Sequence, residues 1–131
     1  MYSPTKLRVV VADDNPQFLD ELVSSLEPQF EIIAMAADGK SAMQAILHYR
    51  PDVAVLDLMM PIANGIEVTK RLMRADCRPA IVICTVEHDP EIIAAARDAG
   101  ALGFVFKNRI ATDLPCAINA AARGHVFVSP H

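Results

Sequence analysis

Residues 53–65 read VAVLDLMMPIANG, and this stretch decides the fold. Its first four residues are continuously apolar and lead to Asp57, which is typical of a strand buried on both faces in a parallel sheet. Asn64 and Gly65 then open a helix, in which apolar side chains recur at helical spacing through Met73. The stretch therefore predicts a strand–loop–helix unit with a carboxylate at the carboxyl end of the strand.

The same kind of unit is predicted at four other places along the chain. Further strands rich in Val and Ile are predicted over residues 7–12, 31–36, 80–84 and 102–106. Helices are predicted from Asn15-Pro16 to the residue before Pro28, over residues 39–49, from Asp89-Pro90 to Gly100, and from about Thr112 to Gly124. Five βα units in succession predict an α/β fold, (βα)5, with a parallel sheet.

The chain has the size and composition of one globular domain. It has 131 residues, of which 53% are hydrophobic and 21% are charged. There is no linker-like segment and no internal repeat, so we expect a single domain over residues 1–131 with its core at about 6–124. Residues 126–131 are too few to make another element of consequence, and we expect no second, output domain in this chain.

Charge and cysteine content exclude several classes of function. The formal net charge of -4 disfavours direct binding to nucleic acid or to an anionic membrane surface. No apolar run approaches the ~20 residues of a membrane-spanning helix, and residues 1–8 lack the apolar stretch of a signal peptide. The three cysteines, Cys77, Cys84 and Cys116, lack CxxC spacing. This pattern favours reduced thiols in a cytoplasmic protein.

Polar side chains stand at the ends of four predicted strands: Asp13 with Asp14, then Asp57, Thr85 and Lys107. The carboxyl ends of parallel strands share one edge of the sheet, so these side chains are expected to converge. Three carboxylates so close would repel one another unless a cation lies among them, and hard oxygen ligands favour Mg²⁺. A carboxylate can also attack phosphorus, with a hydroxyl and an ammonium to neutralise the transferred oxygens.

Each of these residues also has a structural interpretation. Asp13 or Asp14 could cap the first helix, Asp57 could stabilise a turn, Thr85 could cap the fourth helix, and Lys107 could be a solvated charge. Their joint occurrence, in order at four strand ends, favours a common site.

The motif set resembles the receiver domain of two-component response regulators over essentially the whole chain. The pair Asp13-Asp14, the stretch 57–61 (DLMMP) with Asn64-Gly65, and Thr85 and Lys107 carry the resemblance. It implies a flavodoxin-like, doubly wound five-stranded sheet in the order 2-1-3-4-5.

The resemblance also implies a role for each site residue. Asp57 would be the phosphoacceptor, and Asp13, Asp14, Asp57 and the backbone carbonyl of Met59 would hold Mg²⁺. Thr85 and Lys107 would grip the phosphoryl oxygens. Phe104 stands at the switch aromatic position, although a strand residue packed in the core is an equal interpretation.

The residues after Lys107 narrow the resemblance to one branch. Asn108 and the tail 123–130 (RGHVFVSP) resemble the NarL/FixJ (LuxR-type) branch, whose longer members continue into a helix-turn-helix DNA-binding domain. The implied partners are a sensor histidine kinase and, on activation, a second copy of the chain. DNA would be reached only through an output domain absent from this chain, to regulate transcription.

Two departures from the family pattern affect the predicted site. Val86 follows the threonine where a small residue is usual, so Val86 and its neighbour Glu87 are expected to modulate access to the site. Ile62 and Ala63 depart from the usual small-then-large pair in the loop after Asp57.

Other classes of function fit the sequence less well. A haloacid dehalogenase-type phosphohydrolase expects two aspartates separated by one residue after the first strand, and here they are adjacent. A flavodoxin would need Ser, Thr or Gly donors in the first loop, where this chain has Asp13-Asp14-Asn15-Pro16. A degenerate receiver that only binds proteins would not need all five site residues. The leading hypothesis is a phosphorylation-controlled signalling module that assists its own phosphorylation and dephosphorylation, and not an enzyme of metabolism.

Overall fold

The computed structural model describes residues 6–75 and 79–130, so Cys77 and His131 lie outside the described residues. The strands are β1 (Arg8–Ala12), β2 (Glu31–Ala36), β3 (Val53–Asp57), β4 (Ala80–Thr85), β5 (Gly103–Phe106) and β6 (Phe127–Val128). The helices are α1 (Pro16–Leu26), α2 (Gly39–Tyr49), α3 (Gly65–Arg74), α4 (Pro90–Ala99) and α5 (Ile110–Ala122), and a 3₁₀ turn covers Lys107–Arg109. No helix in these ranges is long and apolar enough to cross a membrane.

The strands form one parallel sheet in the order β2-β1-β3-β4-β5-β6. This confirms the flavodoxin-like order 2-1-3-4-5 and adds a sixth strand at the edge. Strand order reverses between β1 and β3, so their carboxyl ends flank the crevice where chemistry is expected in such sheets.

The sheet is covered on both faces, which confirms the doubly wound architecture. On one face, α2, α3 and α4 bury residues such as Ile46, Leu72 and Ala96 against the sheet. On the other face, α1 and α5 bury residues such as Leu22 and Leu114. Burial on both sides explains why the central strands are continuously apolar.

Within residues 6–75 and 79–130, four of the five α-helices begin at a side-chain cap. Asn15, Asp38, Asn64 and Asp89 each accept a hydrogen bond from a backbone N–H in the first turn of their helix. Such a cap contributes about 1 kcal/mol to the stability of the protein. The exception is α5, which begins at Ile110 without a side-chain cap and ends at Ala122, so its predicted bounds were wrong by two residues at each end.

A short strand, β6, follows the fifth helix, where the sequence predicts no element of consequence. The N–H of Phe127 donates to the Leu102 carbonyl at 2.9 Å, and the N–H of Ser129 donates to the Phe104 carbonyl at 2.8 Å. These bonds hold the two-residue β6 against β5. The Ser129 hydroxyl adds to them, because it accepts from the Phe106 N–H at 3.2 Å and donates to the buried Asp113 carboxylate at 2.7 Å.

The loop after Asp57 makes a tight reversal before α3. The Ala63 N–H donates to the Pro61 carbonyl at 2.8 Å, which places Ile62 at the centre of a γ-turn with φ 73°. The Gly39 N–H donates to the same Pro61 carbonyl at 3.2 Å. A Cβ at position 39 would overlap the Ala63 carbonyl, so this close approach requires glycine.

Candidate functional site

Asp13, Asp57 and Lys107 come together at the carboxyl edge of the sheet. The Lys107 Nζ lies 2.8 Å from an Asp13 carboxylate oxygen and 3.2 Å from an Asp57 carboxylate oxygen. Both aspartates are buried, and the Lys107 side chain is 19% exposed. Lys107 is therefore not a solvated charge, and the predicted convergence of these three residues is found in the structure.

Burial and neighbouring charges shift the pKa values of Asp57 and Lys107. Burial raises the pKa of the Asp57 carboxyl above 3.8, and so does the charge of Asp13, while Lys107 and the Met59 N–H oppose the shift. Burial alone would lower the pKa of Lys107, but the Asp13 hydrogen bond and the charges of Asp57 and Asp13 raise it above 10.5. The lysine is therefore an ammonium at neutral pH, and additional positive charge at the site would favour the ionised form of Asp57.

The acidic residues fit a divalent cation. One carboxylate oxygen from each of Asp13, Asp14 and Asp57 lies within 4.8 Å of the others, with Asp14 exposed to solvent. Three carboxylates against one ammonium leave two negative charges at the edge of the sheet. Hard oxygen donors with an open, solvated side are the ligand set that Mg²⁺ prefers.

Asp13 and Asp14 do not cap α1, because Asn15 does. Asp13 supports the start of α1 in another way: its Oδ1 accepts from the Asn15 N–H at 2.8 Å, while its Oδ2 accepts from Lys107. Asp57 accepts from the Met59 N–H, so its turn-stabilising role and its place in the acidic cluster coexist.

Thr85 is buried at the end of β4, next to β3. Its Oγ1 accepts a hydrogen bond from the Glu87 N–H at 2.9 Å, and α4 is capped by Asp89 and not by Thr85. Because the threonine oxygen only accepts in this contact, its hydroxyl hydrogen is available to another acceptor. Val86 is 68% exposed and Glu87 is also exposed, and both directly follow the buried Thr85 in the chain.

Phe104 lies in the core on the α2–α3–α4 face of the sheet and is 1% exposed. It is two residues before Phe106, whose ring stacks on the His88 ring with centroids 3.8 Å apart. Thr85 pairs in register with Phe106. The buried position suits both interpretations of Phe104, a core residue and a switch residue whose side chain is turned inward.

Sequence reasoning did not assign two features near the site. The Lys107 Nζ lies 4.4 Å from the centroid of the Phe18 ring, whereas the sequence pattern places Phe18 only within the predicted first helix. Asp113 accepts from Arg109 at 2.7 Å and from Ser129, in a cluster next to the end of β5. The i,i+4 spacing of Arg109 and Asp113 is a sequence signal for their ion pair, whereas the contacts of Phe18 with Lys107 and of Ser129 with Asp113 depend on the fold.

A comparison with protein families identifies the family of the chain. The model of the response regulator receiver domain matches residues 9–119. The chain belongs to the response regulator receiver domain family. The adjacent aspartates and the carboxylate on the third strand, which argued against the haloacid dehalogenase and flavodoxin alternatives, agree with this membership.

Similar proteins support the predicted NarL/FixJ branch. The "Probable transcriptional regulatory protein NarL" of Mycobacterium tuberculosis (strain CDC 1551 / Oshkosh) is 33% identical over 129 residues, 97% of this chain and 60% of that protein. The "Transcriptional regulatory protein DegU" of Brevibacillus brevis is 28% identical over 127 residues, 95% of this chain and 54% of that protein. The chain thus spans between about half and three fifths of the length of these curated relatives.

The fold agrees with solved structures of the same branch. The signal receiver domain of the response regulator NarL from Mycobacterium tuberculosis superposes with a TM-score of 0.89 at 31% identity, covering 93% of this chain and all of that one. The chain is therefore a receiver domain of the two-component response regulators, a signalling module similar to those of transcriptional regulators.

Proposed function

We propose that this receiver accepts a phosphoryl group on Asp57 from a sensor histidine kinase and changes conformation to control transcription. The observation that carries the proposal is the placement of the Lys107 ammonium, 3.2 Å from Asp57 and 2.8 Å from Asp13, in a buried corner at the strand ends. An ammonium held there can neutralise a phosphoryl group that arrives at Asp57.

The transfer uses groups that this chain already positions. An Asp57 oxygen attacks the phosphorus of a phosphohistidine, the new O–P bond forms as the P–N bond breaks, and the electron pair leaves on the imidazole. Lys107 compensates the charge of the phosphoryl oxygens. The Thr85 hydroxyl, whose oxygen accepts from Glu87, donates its hydrogen to a phosphoryl oxygen.

A divalent cation completes the charge balance. Asp13, Asp14, Asp57 and the backbone carbonyl of Met59 would hold Mg²⁺, as the acidic cluster suggests. When bound, the ion supplies positive charge to the carboxylates and to the phosphoryl oxygens. Its affinity in calorimetric titration is expected to rise when beryllofluoride is added, and an unchanged affinity would contradict this assignment.

The receiver is proposed to transmit its signal through a surface that binds a partner, and not by contacting DNA itself. Its net charge of -4 disfavours phosphate backbones, so binding to DNA is assigned to a separate output domain and a homodimer is expected on activation. A mobility shift at low salt tests this: specific retardation of duplex DNA by residues 1–131 alone would contradict the proposal. A single receiver domain over these residues and a cytoplasmic location stay predictions.

The central experiment is labelling by acetyl phosphate with Mg²⁺, followed by intact mass spectrometry. The wild-type chain is expected to gain one phosphoryl group, and Asp57→Asn is expected to gain none. The matched control is Asp98→Asn on the exposed surface of α4, which should label like the wild type. Equal labelling of Asp57→Asn would overturn the assignment of the phosphoacceptor.

A further inference from the structure

The ammonium of Lys107 has an aromatic neighbour besides its two carboxylates. Its Nζ lies 4.4 Å from the centroid of the Phe18 ring, within the distance at which a cation is attracted by the face of an aromatic ring. Phe18 is half-buried on α1 and packs against the core on the α1–α5 face of the sheet. The ring is therefore held by packing and is not a freely moving surface group.

The position of the Phe18 ring is tied to the same carboxylate that holds the lysine. Asp13 Oδ1 accepts from the Asn15 N–H at 2.8 Å, and Asn15 Oδ1 accepts from the Phe18 N–H at 3.2 Å. Asp13 Oδ2 accepts from the Lys107 Nζ at 2.8 Å. One aspartate thus sets the start of α1 on one side and the ammonium on the other.

We propose that Phe18 is a positioning residue for Lys107, which it holds beside Asp57 through a cation–π contact. A lysine ammonium is a compact, strongly hydrated charge on a flexible stem, so two carboxylates alone do not fix its direction. The Phe18 ring adds a third, apolar side to the ammonium site. The effect on phosphoryl transfer rests on the proposed function, whereas the contact itself does not.

The first test compares two substitutions of one ring. Phe18→Leu keeps an apolar side chain on α1 but removes the aromatic face, and Phe18→Tyr keeps the face. The rate of phosphorylation by phosphoramidate is expected to fall about twofold to thirtyfold in Phe18→Leu, the range of a cation–π contact between exposed and desolvated sites. Phe18→Tyr should retain most of the wild-type rate. A wild-type rate in Phe18→Leu, or an equal loss in both variants, would overturn the proposal.

The second test does not depend on phosphorylation. The Lys107 ε-methylene resonances should show an upfield ring-current shift in the wild type and in Phe18→Tyr, and should lose it in Phe18→Leu. Leu19→Ala is the matched control, because Leu19 is the half-buried neighbour on α1 that packs on the same core. Leu19→Ala should lower the stability of the protein without moving the Lys107 resonances. If Phe18→Leu kept the wild-type chemical shifts of these methylenes, the cation–π contact would be contradicted.

A double-mutant cycle separates the contact from helix packing. If Phe18 acts on Lys107, Phe18→Leu should lower the free energy of unfolding less in a Lys107→Met background than in the wild type. Equal losses in the two backgrounds would assign Phe18 to packing alone and overturn the proposal. The proposed function and the role of Phe18 can therefore fail separately. If Phe18 and Lys107 are coupled and the ring-current shift is present but Asp57 is not labelled, the proposed function is wrong. If Asp57 is labelled but Phe18 and Lys107 are not coupled, only the role of Phe18 is wrong.

Discussion

The Lys107 ammonium lies 2.8 Å from the Asp13 carboxylate although the two residues are 94 positions apart in the chain. Asp13 follows β1 and Lys107 follows β5, and β3 and β4 lie between these strands in the sheet. The ion pair therefore spans the carboxyl edge, and Asp57 at the end of β3 is within its reach. This arrangement makes the geometry of the site a property of the whole sheet and not of one loop.

Ile62 is expected to lower the stability of the protein. It is a β-branched residue at φ 73°, and its side chain is 72% exposed, so it gains little from burial in return for the strained backbone. A residue held in such a region costs of order 1–3 kcal/mol. Ile62→Asn should therefore raise the free energy of unfolding by about 1 kcal/mol in chemical denaturation. Ile62→Val, which keeps the β-branch, should leave it unchanged; lower stability in Ile62→Asn would contradict this account.

The bonds around Asp113 are expected to make stability depend on pH. The Arg109 hydrogen bond lowers the pKa of Asp113 below 3.8 in the folded protein, against the effect of burial, and the Ser129 hydrogen bond adds to it. The ionised carboxylate therefore stabilises the fold above the unfolded pKa, and this contribution is lost as pH falls through the folded pKa. Asp113→Asn should lower the free energy of unfolding at pH 7 by about 1–2 kcal/mol. The difference from the wild type should shrink below pH 4; a constant difference would contradict the assignment.

The hydroxyl of Ser129 is expected to hold β6 in place. Ser129→Ala removes the hydroxyl that donates to the buried Asp113 carboxylate and accepts from the Phe106 N–H, which should cost about 1–3 kcal/mol in the free energy of unfolding. Hydrogen exchange at the Phe127 and Ser129 amides should quicken as well. Ser25→Ala, at an exposed position on α1, is the control and should change neither quantity.

The parts of this protein that local pattern specifies were predictable. Buried strands are marked by runs of Val and Ile, and three helices by Asn15, Asn64 and Asp89 at their starts, so each has a signal within a few residues. The five polar residues at four strand ends followed from these elements. The start of α5 was missed because no side chain caps it. Two-residue β6 has no periodicity to detect, since it depends on pairing with β5.

The contacts that refine the site were not predictable, for a related physical reason. The Phe18 ring beside Lys107 and the bridge from Ser129 to Asp113 join residues that are distant in sequence. In the sequence, Phe18 is one apolar residue of an amphipathic helix. The positive φ of Ile62 is also hidden, because a β-branched residue gives no turn signal at a position that favours glycine or asparagine.

Val86 is expected to lengthen the life of the phosphorylated form. It follows buried Thr85 and is 68% exposed, so its branched side chain is expected to screen a phosphoryl group on Asp57 from water. Val86→Ala should therefore speed dephosphorylation, and a severalfold change is reasonable because about 1 Å of misplacement costs on the order of 100-fold in such reactions. Phosphate release after removal of the donor measures the rate. Val126→Ala, at an exposed position in the tail, should match the wild type, and an unchanged or slower rate in Val86→Ala would rule out the access argument.

A phosphoryl group on Asp57 is expected to change the conformation around Phe104 and α4. Thr85 Oγ1 accepts from the Glu87 N–H in this structure, so donation by Thr85 to a phosphoryl oxygen is expected to disturb the β4–α4 loop. Phe104 shares its core with Ala96 of α4, and movement of that loop should open space for the Phe104 ring. Only a few kcal/mol of differential binding are needed to shift most of the population. Beryllofluoride with Mg²⁺ should therefore change the chemical shifts of the Phe104 ring and of α4 amides in the wild type. Thr85→Ala should bind beryllofluoride and leave those resonances in place, whereas an unmoved Phe104 in the wild type would show that the conformational change takes another route.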